Sequence, residues 1–154
     1  DFRVLNLGVA TEDDALRHAV LPASGGHGAL GEWPMRLHVG AAQPLQGGRA
    51  QALSTFAGQR VHAVAGIGDP ERFFSMLRDA GIAIVPHAFP DHHAYVADDF
   101  AFASKLPILM TVKDAVKCAG MVDAQAFMVP VDAVLPEAFW MALLDRLPAR
   151  KTRP

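Results

Sequence analysis

A repeated alternation of short apolar runs and helix signals, beginning near residue 60, constrains the fold more than any other feature. Residues 61–65 form a β-prone run that ends at Gly66. Asp69 and Pro70 then supply a helix N-cap and a first helical residue, and apolar residues spaced by three or four predict a helix to about Gly81. Further apolar runs occupy residues 82–85, 107–110 and 127–129. Strand–helix units of this length predict an α/β fold, with a mainly parallel sheet covered by helices.

Local signals set the bounds of the other elements. Pro86 predicts the end of the second strand. An acidic cap at Asp98 or Asp99 predicts a helix to about Lys105, and Thr111 opens a short helix toward Cys118. A final helix is predicted to start at Pro136 and to stop before Pro148.

The first 59 residues differ in character from the rest. Residues 22–50 are rich in Pro and Gly, which predicts loops and turns, with one short alternating strand at 35–39 that a second extended piece can join as a ribbon. We therefore divide the chain into a loop-rich, partly ordered lead-in at 1–34, a short β-ribbon at 35–59 and an α/β lobe at 60–154.

Composition excludes several classes of protein. A hydrophobic content of 51% rules out a disordered chain, and a net charge of −2 without a clustered basic excess argues against nucleic-acid binding. No apolar run approaches the roughly 18 residues that a membrane span needs. The single cysteine excludes an internal disulfide framework. Because the sequence begins at Asp1 without an initiator Met or a signal peptide, we expect it to be a fragment.

Ligands of parallel sheets bind at the carboxyl ends of the strands, which directs attention to three segments. The first, Gly66–Asp69, joins a strand to a helix N-terminus, where an anion is favoured. It matches no dinucleotide-binding glycine motif, and no phosphate-binding GxxxxGK[ST] loop occurs in the sequence. Since Asp69 would repel a phosphate, a tight, capped turn is the favoured interpretation.

The second segment, residues 87–93 (HAFPDHH), contains three histidines and one aspartate. Imidazole relays protons near neutral pH, and a neighbouring carboxylate fixes its tautomer, so acid–base work is one interpretation. A metal site is another, although the spacing matches no zinc pattern. A surface loop with incidental histidines is the third, and composition alone leaves all three open.

The third segment, residues 111–117, places Lys113 and Lys117 on one helix face. A cation in the first helical turn opposes the helix dipole, so a bound anion would explain Lys113, and a solvated helix face is the alternative. The C-terminal end is basic and can touch anionic lipid or be an ordinary soluble terminus. Its basic residues are Arg146, Arg150, Lys151 and Arg153.

Three blocks of sequence, in this order, resemble the tetraacyldisaccharide 4′-kinases of lipid A biosynthesis. They are residues 61–74 (VHAVAGIGDPERFF), 89–95 (FPDHHAY) and 109–118 (LMTVKDAVKC). Their order and spacing are those of the C-terminal half of that enzyme, and the resemblance covers roughly residues 35–147.

The resemblance implies a phosphotransferase. The family transfers the γ-phosphate of ATP to the 4′-hydroxyl of the lipid A disaccharide 1-phosphate precursor, with Mg²⁺, at the cytoplasmic face of the bacterial inner membrane. It implies two three-layer α/β/α lobes of the P-loop kinase type, joined by a β linker. The N-terminal lobe would carry the ATP site, the membrane anchor and the catalytic Asp. We therefore expect this chain alone to hold no cofactor or metal and to be inactive.

The resemblance also implies roles for individual residues. His92 would support the catalytic carboxylate of the other lobe, and Asp91 would hold the loop that carries it. His93, Thr111 and Lys113 would contact substrate or phosphate. This sequence differs from the usual family pattern in two places: it has Val112 where the family usually has Glu, and Asp69 where the family often has Asn.

Two other functions compete with the kinase. An Asp-His-His metal-dependent phosphoesterase shares residues 91–93 but needs further aspartate motifs on preceding strands, and none is evident. A non-enzymatic α/β binding module would bind a ligand without the help of another lobe.

Overall fold

The computed structural model describes residues 2–9 and 31–147. It divides into two compact units, one comprising residues 1–38 with 132–154 and the other residues 39–131. The strands are β1 Phe2–Val9, β2 Gly31–Val39, β3 Gln43–Pro44, β4 Arg60–Ala65, β5 Ala83–Ala88, β6 Ile108–Thr111, β7 Ala126–Val129 and β8 Val131–Val134. The helices are α1 Pro70–Asp79, α2 Val112–Cys118 and α3 Glu137–Arg146, with 3₁₀ turns at Leu53–Phe56 and Ala97–Phe100.

The unit of residues 39–131 is built on a five-stranded sheet in the order β3-β7-β6-β4-β5. β7, β6, β4 and β5 pair in parallel, and only β3 is antiparallel to its neighbour β7. α1 connects β4 to β5, and α2 connects β6 to β7. The predicted α/β class with a mainly parallel sheet is confirmed.

The two helices cover opposite faces of this sheet. Val61 and Ala63 of β4 belong to a cluster that includes the apolar face of α1. Val64, on the alternate side of β4, belongs to a second cluster with Ala115 and Cys118 of α2. Because successive strand residues point to opposite faces, this division gives the three layers α/β/α.

Helix α1 begins and ends where the sequence predicts. The Asp69 side chain accepts a hydrogen bond from the Arg72 backbone N–H at 3.3 Å, and Pro70 occupies the first helical position. Gly81 follows the C-cap residue Ala80 and has a φ of +75°, a left-handed conformation that glycine adopts without a steric penalty.

Two local predictions are wrong. Pro86 does not end β5, which continues to Ala88. β5 is an edge strand, paired only with β4. The N–H groups of Ala83 and Phe89 point toward β4, so the alternating pattern directs the Pro86 nitrogen to the unpaired side of β5, where no donor is needed.

The helix predicted over residues 98–105 is only the 3₁₀ turn Ala97–Phe100. Phe100 and Phe102 both pack against the second cluster. Two aromatic residues spaced by two reach the same side from extended backbone and not from a helix.

The other unit contains a three-stranded sheet in the order β1-β2-β8, with β1 parallel to β2. β1 lies within residues 1–34, where the sequence predicted loops, and residues 10–30 of that segment lie outside the described residues. α3 begins after Pro136, as predicted, and Phe139 packs edge-on against Trp33 with ring centroids 5.6 Å apart. The proposed domain boundaries stay a prediction.

Candidate functional site

Two loops and one helix N-terminus meet at the carboxyl ends of β4, β5 and β6. The loops begin at Gly66 and at Phe89, whereas β6 passes at Thr111 directly into α2, whose side chains contact both loops. All five residues predicted for the site, Asp91, His92, His93, Thr111 and Lys113, lie at this edge of the sheet. The structure thus brings together residues that are up to 22 positions apart in the sequence.

Asp114 is the buried centre of the site, and it was not among the site residues predicted from the sequence. Its Oδ2 accepts hydrogen bonds from the Gly66 backbone N–H at 2.9 Å and from the Thr111 hydroxyl at 2.6 Å. The Thr111 oxygen in turn accepts from the Asp114 N–H at 3.2 Å, which caps α2. Thr111 is therefore engaged in local structure, and Asp114 ties the end of β4 to the start of α2.

Gly66 is required by close packing and not by its backbone angle. A β-carbon at this position would lie 2.6 Å from the Tyr95 hydroxyl and 3.0 Å from Asp114 Oδ1. Both of these atoms are buried without a hydrogen bond of regular geometry among the described residues. Burial, together with the Asp114 carboxylate, raises the pKa of Tyr95 far above its usual range, so its hydroxyl stays protonated.

Asp91 and Lys113 form an ion pair that joins the loop after β5 to α2. The Lys113 ammonium donates to Asp91 Oδ1 at 2.5 Å. This hydrogen bond is the main reason why the pKa of Asp91 lies below its usual value. The Lys113 ammonium is thus occupied by a carboxylate of the same domain.

His92 is the most accessible side chain of the site. Its side chain is 81% exposed, and its Nε2 lies 3.6 Å from Asp91 Oδ2. The His92 backbone N–H donates to Asp91 Oδ1 at 3.0 Å. Its φ of +62° makes it the one non-glycine residue with a positive φ in the described segments. The ring therefore projects to solvent at the open edge of the sheet, which is the edge formed by the carboxyl ends of β4, β5 and β6.

His93 points to the domain and not to solvent. Its Nε2 lies 2.9 Å from Asp99 Oδ2, and its ring packs edge-on against Tyr95 with centroids 4.9 Å apart. The Lys117 ammonium donates to the His93 carbonyl at 3.4 Å. Hydrogen bonds from the Val96 N–H and then from His93 lower the pKa of Asp99. His93 thus fixes the loop from inside.

His87 does not lie with His92 and His93. Its Nε2 lies 2.9 Å from Nδ1 of the buried His62, and its ring stacks on Phe102 with centroids 4.1 Å apart. His62 Nε2 lies 2.9 Å from the Ser104 carbonyl. This pair joins β4, β5 and the segment around Phe102. No sequence signal indicated it, because His62 lies within an apolar strand.

The metal interpretation gains no support. No group of three or more His, Cys, Asp or Glu side chains in residues 2–9 and 31–147 could hold a metal ion. Cys118 is fully buried, and burial raises the pKa of its thiol to about 12, so the thiol stays protonated near neutral pH. The Asp-His-His phosphoesterase therefore lacks its two-metal site in the described part of the chain.

Together these features define an α/β/α protein of the class that binds ligands at the carboxyl edge of a parallel sheet. Residues 5–148 match the family model described as tetraacyldisaccharide-1-P 4′-kinase. The chain belongs to this family, and the resemblance drawn from the three sequence blocks is confirmed.

Similar proteins agree with the family match. A tetraacyldisaccharide 4′-kinase of Xanthomonas oryzae pv. oryzae is 58% identical over 147 residues, which cover 96% of this chain and 41% of that protein. The Xylella fastidiosa tetraacyldisaccharide 4′-kinase is 57% identical, over 96% of this chain and 40% of that protein. The chain thus spans about two fifths of the length of these relatives.

A solved structure supports the fold. The crystal structure of LpxK from Aquifex aeolicus in complex with ATP matches with a TM-score of 0.57 and 18% sequence identity. The match covers 92% of this chain and 50% of that one. At this identity the likeness establishes the architecture.

Proposed function

We propose that this chain is the C-terminal part of a kinase that transfers the γ-phosphate of ATP to the 4′-hydroxyl of the lipid A disaccharide 1-phosphate precursor. One observation of the structure carries the proposal: an imidazole, that of His92, projects from the open edge of the sheet with a carboxylate at its side. The family match and the 58% identity to a named 4′-kinase support the substrate class.

The geometry suits a supporting role for His92. Phosphoryl transfer depends on positioning and charge stabilisation more than on covalent chemistry. An exposed imidazole has one nitrogen beside Asp91, at 3.6 Å, and leaves the other for a group outside this domain. In our proposal that group is the catalytic carboxylate that accepts the proton of the sugar hydroxyl, and the His92 ring orients it.

The described residues do not fit a Mg²⁺ site. Asp91 is the exposed carboxylate of the site loop, and its Oδ1 is already paired with Lys113. We propose that ATP and Mg²⁺ are bound by the part of the enzyme that corresponds to the remaining length of the relatives. His92, Asp91 and the loop that carries them would then complete the site from the opposite side.

We further propose that the enzyme works at the cytoplasmic face of the inner membrane. In the described ranges, no helix is both long and apolar enough for a transmembrane segment. The outer side of α3 exposes Trp140, Met141 and Leu144, which suits contact with a lipid surface. The basic residues Arg150 and Lys151 follow in the sequence, as does Arg153; these three lie outside the described residues.

The test is His92→Ala in the full-length enzyme. If the His92 ring orients the catalytic carboxylate, its removal should lower kcat by at least about tenfold. KM should change little, because the contact between ring and carboxylate stabilises the transition state more than the bound substrate. His38→Ala, at an exposed histidine of β2, is the matched control and is expected to leave turnover unchanged. A kcat within twofold of wild type for His92→Ala would remove the proposed role.

A further inference from the structure

Lys113 occupies a position that helix electrostatics disfavours. It is the second residue of α2, and the positive end of a helix dipole repels a cation there. Its ammonium instead reaches Asp91, 22 residues away in the sequence, at 2.5 Å. The contact with Asp91 offsets this unfavourable placement.

The carboxylate that Lys113 holds contacts both the backbone and the ring of His92. Asp91 Oδ1 accepts from the Lys113 ammonium and from the His92 N–H, and Asp91 Oδ2 lies 3.6 Å from His92 Nε2. A left-handed backbone is unfavourable at a non-glycine residue such as His92, so the surroundings must maintain it. The Asp91 carboxylate is the side chain placed to do so.

The helix that carries Lys113 is itself well anchored. Thr111 caps it, and Asp114 is fully buried with a hydrogen bond to Gly66. One turn later, Lys117 donates to the His93 carbonyl. Lys113 therefore projects from a well-anchored helix toward the loop that carries Asp91, His92 and His93.

We propose that Lys113 is a positioning residue that acts through Asp91 to hold His92 in its left-handed conformation, with the ring presented at the open edge of the sheet. The inference rests on the proposed function of His92. It replaces the role expected from the sequence, in which Lys113 would bind a substrate phosphate.

A double-mutant cycle in the full-length enzyme tests the functional part. Lys113→Met is expected to lower kcat about tenfold with KM within twofold, because a displaced supporting group costs up to about 100-fold. In the His92→Ala background the same substitution is expected to cost less than twofold, since its effect passes through His92. Lys113→Arg keeps the ion pair and should restore most of the activity.

Two results of the cycle would overturn the inference. One is an equal loss of kcat in the wild-type and His92→Ala backgrounds, which would make Lys113 independent of His92. The other is a rise in KM for the phosphorylated lipid with kcat unchanged, the behaviour of an anion ligand. Lys105→Met, at an exposed lysine between the 3₁₀ turn and β6, is the control for general loss of charge.

A spectroscopic measurement separates this inference from the proposed function. In full-length enzyme isotopically labelled at histidine, the NMR chemical shifts of the His92 backbone report its positive φ. Loss of that signature in Lys113→Met, and its retention in Lys105→Met, would support positioning even if His92→Ala kept full activity. An unchanged His92 signature in Lys113→Met would refute it.

Discussion

The two faces of the five-stranded sheet are chemically different. The face covered by α1 packs only apolar side chains in its buried cluster, among them Leu77, Phe73 and Leu109. The face covered by α2 has an apolar cluster of its own, but it also buries Asp114 and His62 and half-buries His93. Both faces belong to the same strands, which differ only in the alternate residues they present.

This difference separates stability from site construction. Apolar burial is non-directional and fills space, whereas a buried polar group must find its hydrogen-bond partner and so fixes the geometry around it. The polar groups on the α2 face contact the loops after β4 and β5 and the last residue of β6. The domain therefore holds its site from one side of the sheet.

The largest effect is expected on the apolar face. Leu77 is fully buried, and Leu77→Ala should lower the free energy of unfolding by about 2–5 kcal/mol, through lost apolar burial and the cavity left behind. Both tryptophans, Trp33 and Trp140, lie in the other unit, so urea unfolding should be followed by circular dichroism. A loss below 1 kcal/mol would contradict the view that this face carries the stability.

A smaller effect, on the polar face, concerns Gly66. Gly66→Ala places a methyl group 2.6 Å from the Tyr95 hydroxyl, and such overpacking costs about 1–3 kcal/mol in the same unfolding measurement. Gly68→Ala is the matched control, because a β-carbon there meets no atom within 4 Å. Adding Tyr95→Phe to Gly66→Ala should recover part of the loss. Equal effects of the two alanines would show that close packing does not decide this position.

The smallest effect is a pH dependence arising at His87. Burial, followed by the charge of His62, lowers the pKa of His87, so the folded chain binds its proton less readily than the unfolded chain does. As the pH falls below the ordinary histidine value of about 6.5, the unfolded chain takes up that proton first and stability decreases, levelling off below the folded-state pKa. Urea unfolding at pH 8 and at pH 5 measures the difference. In His87→Gln this decrease should be smaller; an identical decrease would assign it to other groups.

The sequence determined the elements that depend on local chemistry. The cap at Asp69 with Pro70 and the cap at Thr111 could be predicted because each places a side-chain oxygen within three residues of the backbone N–H groups it binds. The alternation of strands and helices likewise predicted the parallel sheet, and with it the edge where the site lies. The family resemblance of residues 89–95 could likewise be seen in the sequence, because those residues are contiguous.

Tertiary structure decided which side chains meet. Asp114 bonds Gly66 across 48 residues, Lys113 reaches Asp91 across 22, and His87 pairs with His62 and not with its sequence neighbours. Strand order and register set these distances, and neither periodicity nor composition encodes them. The edge strand likewise decided the fate of Pro86, because a missing N–H matters only where a neighbouring strand would have accepted it.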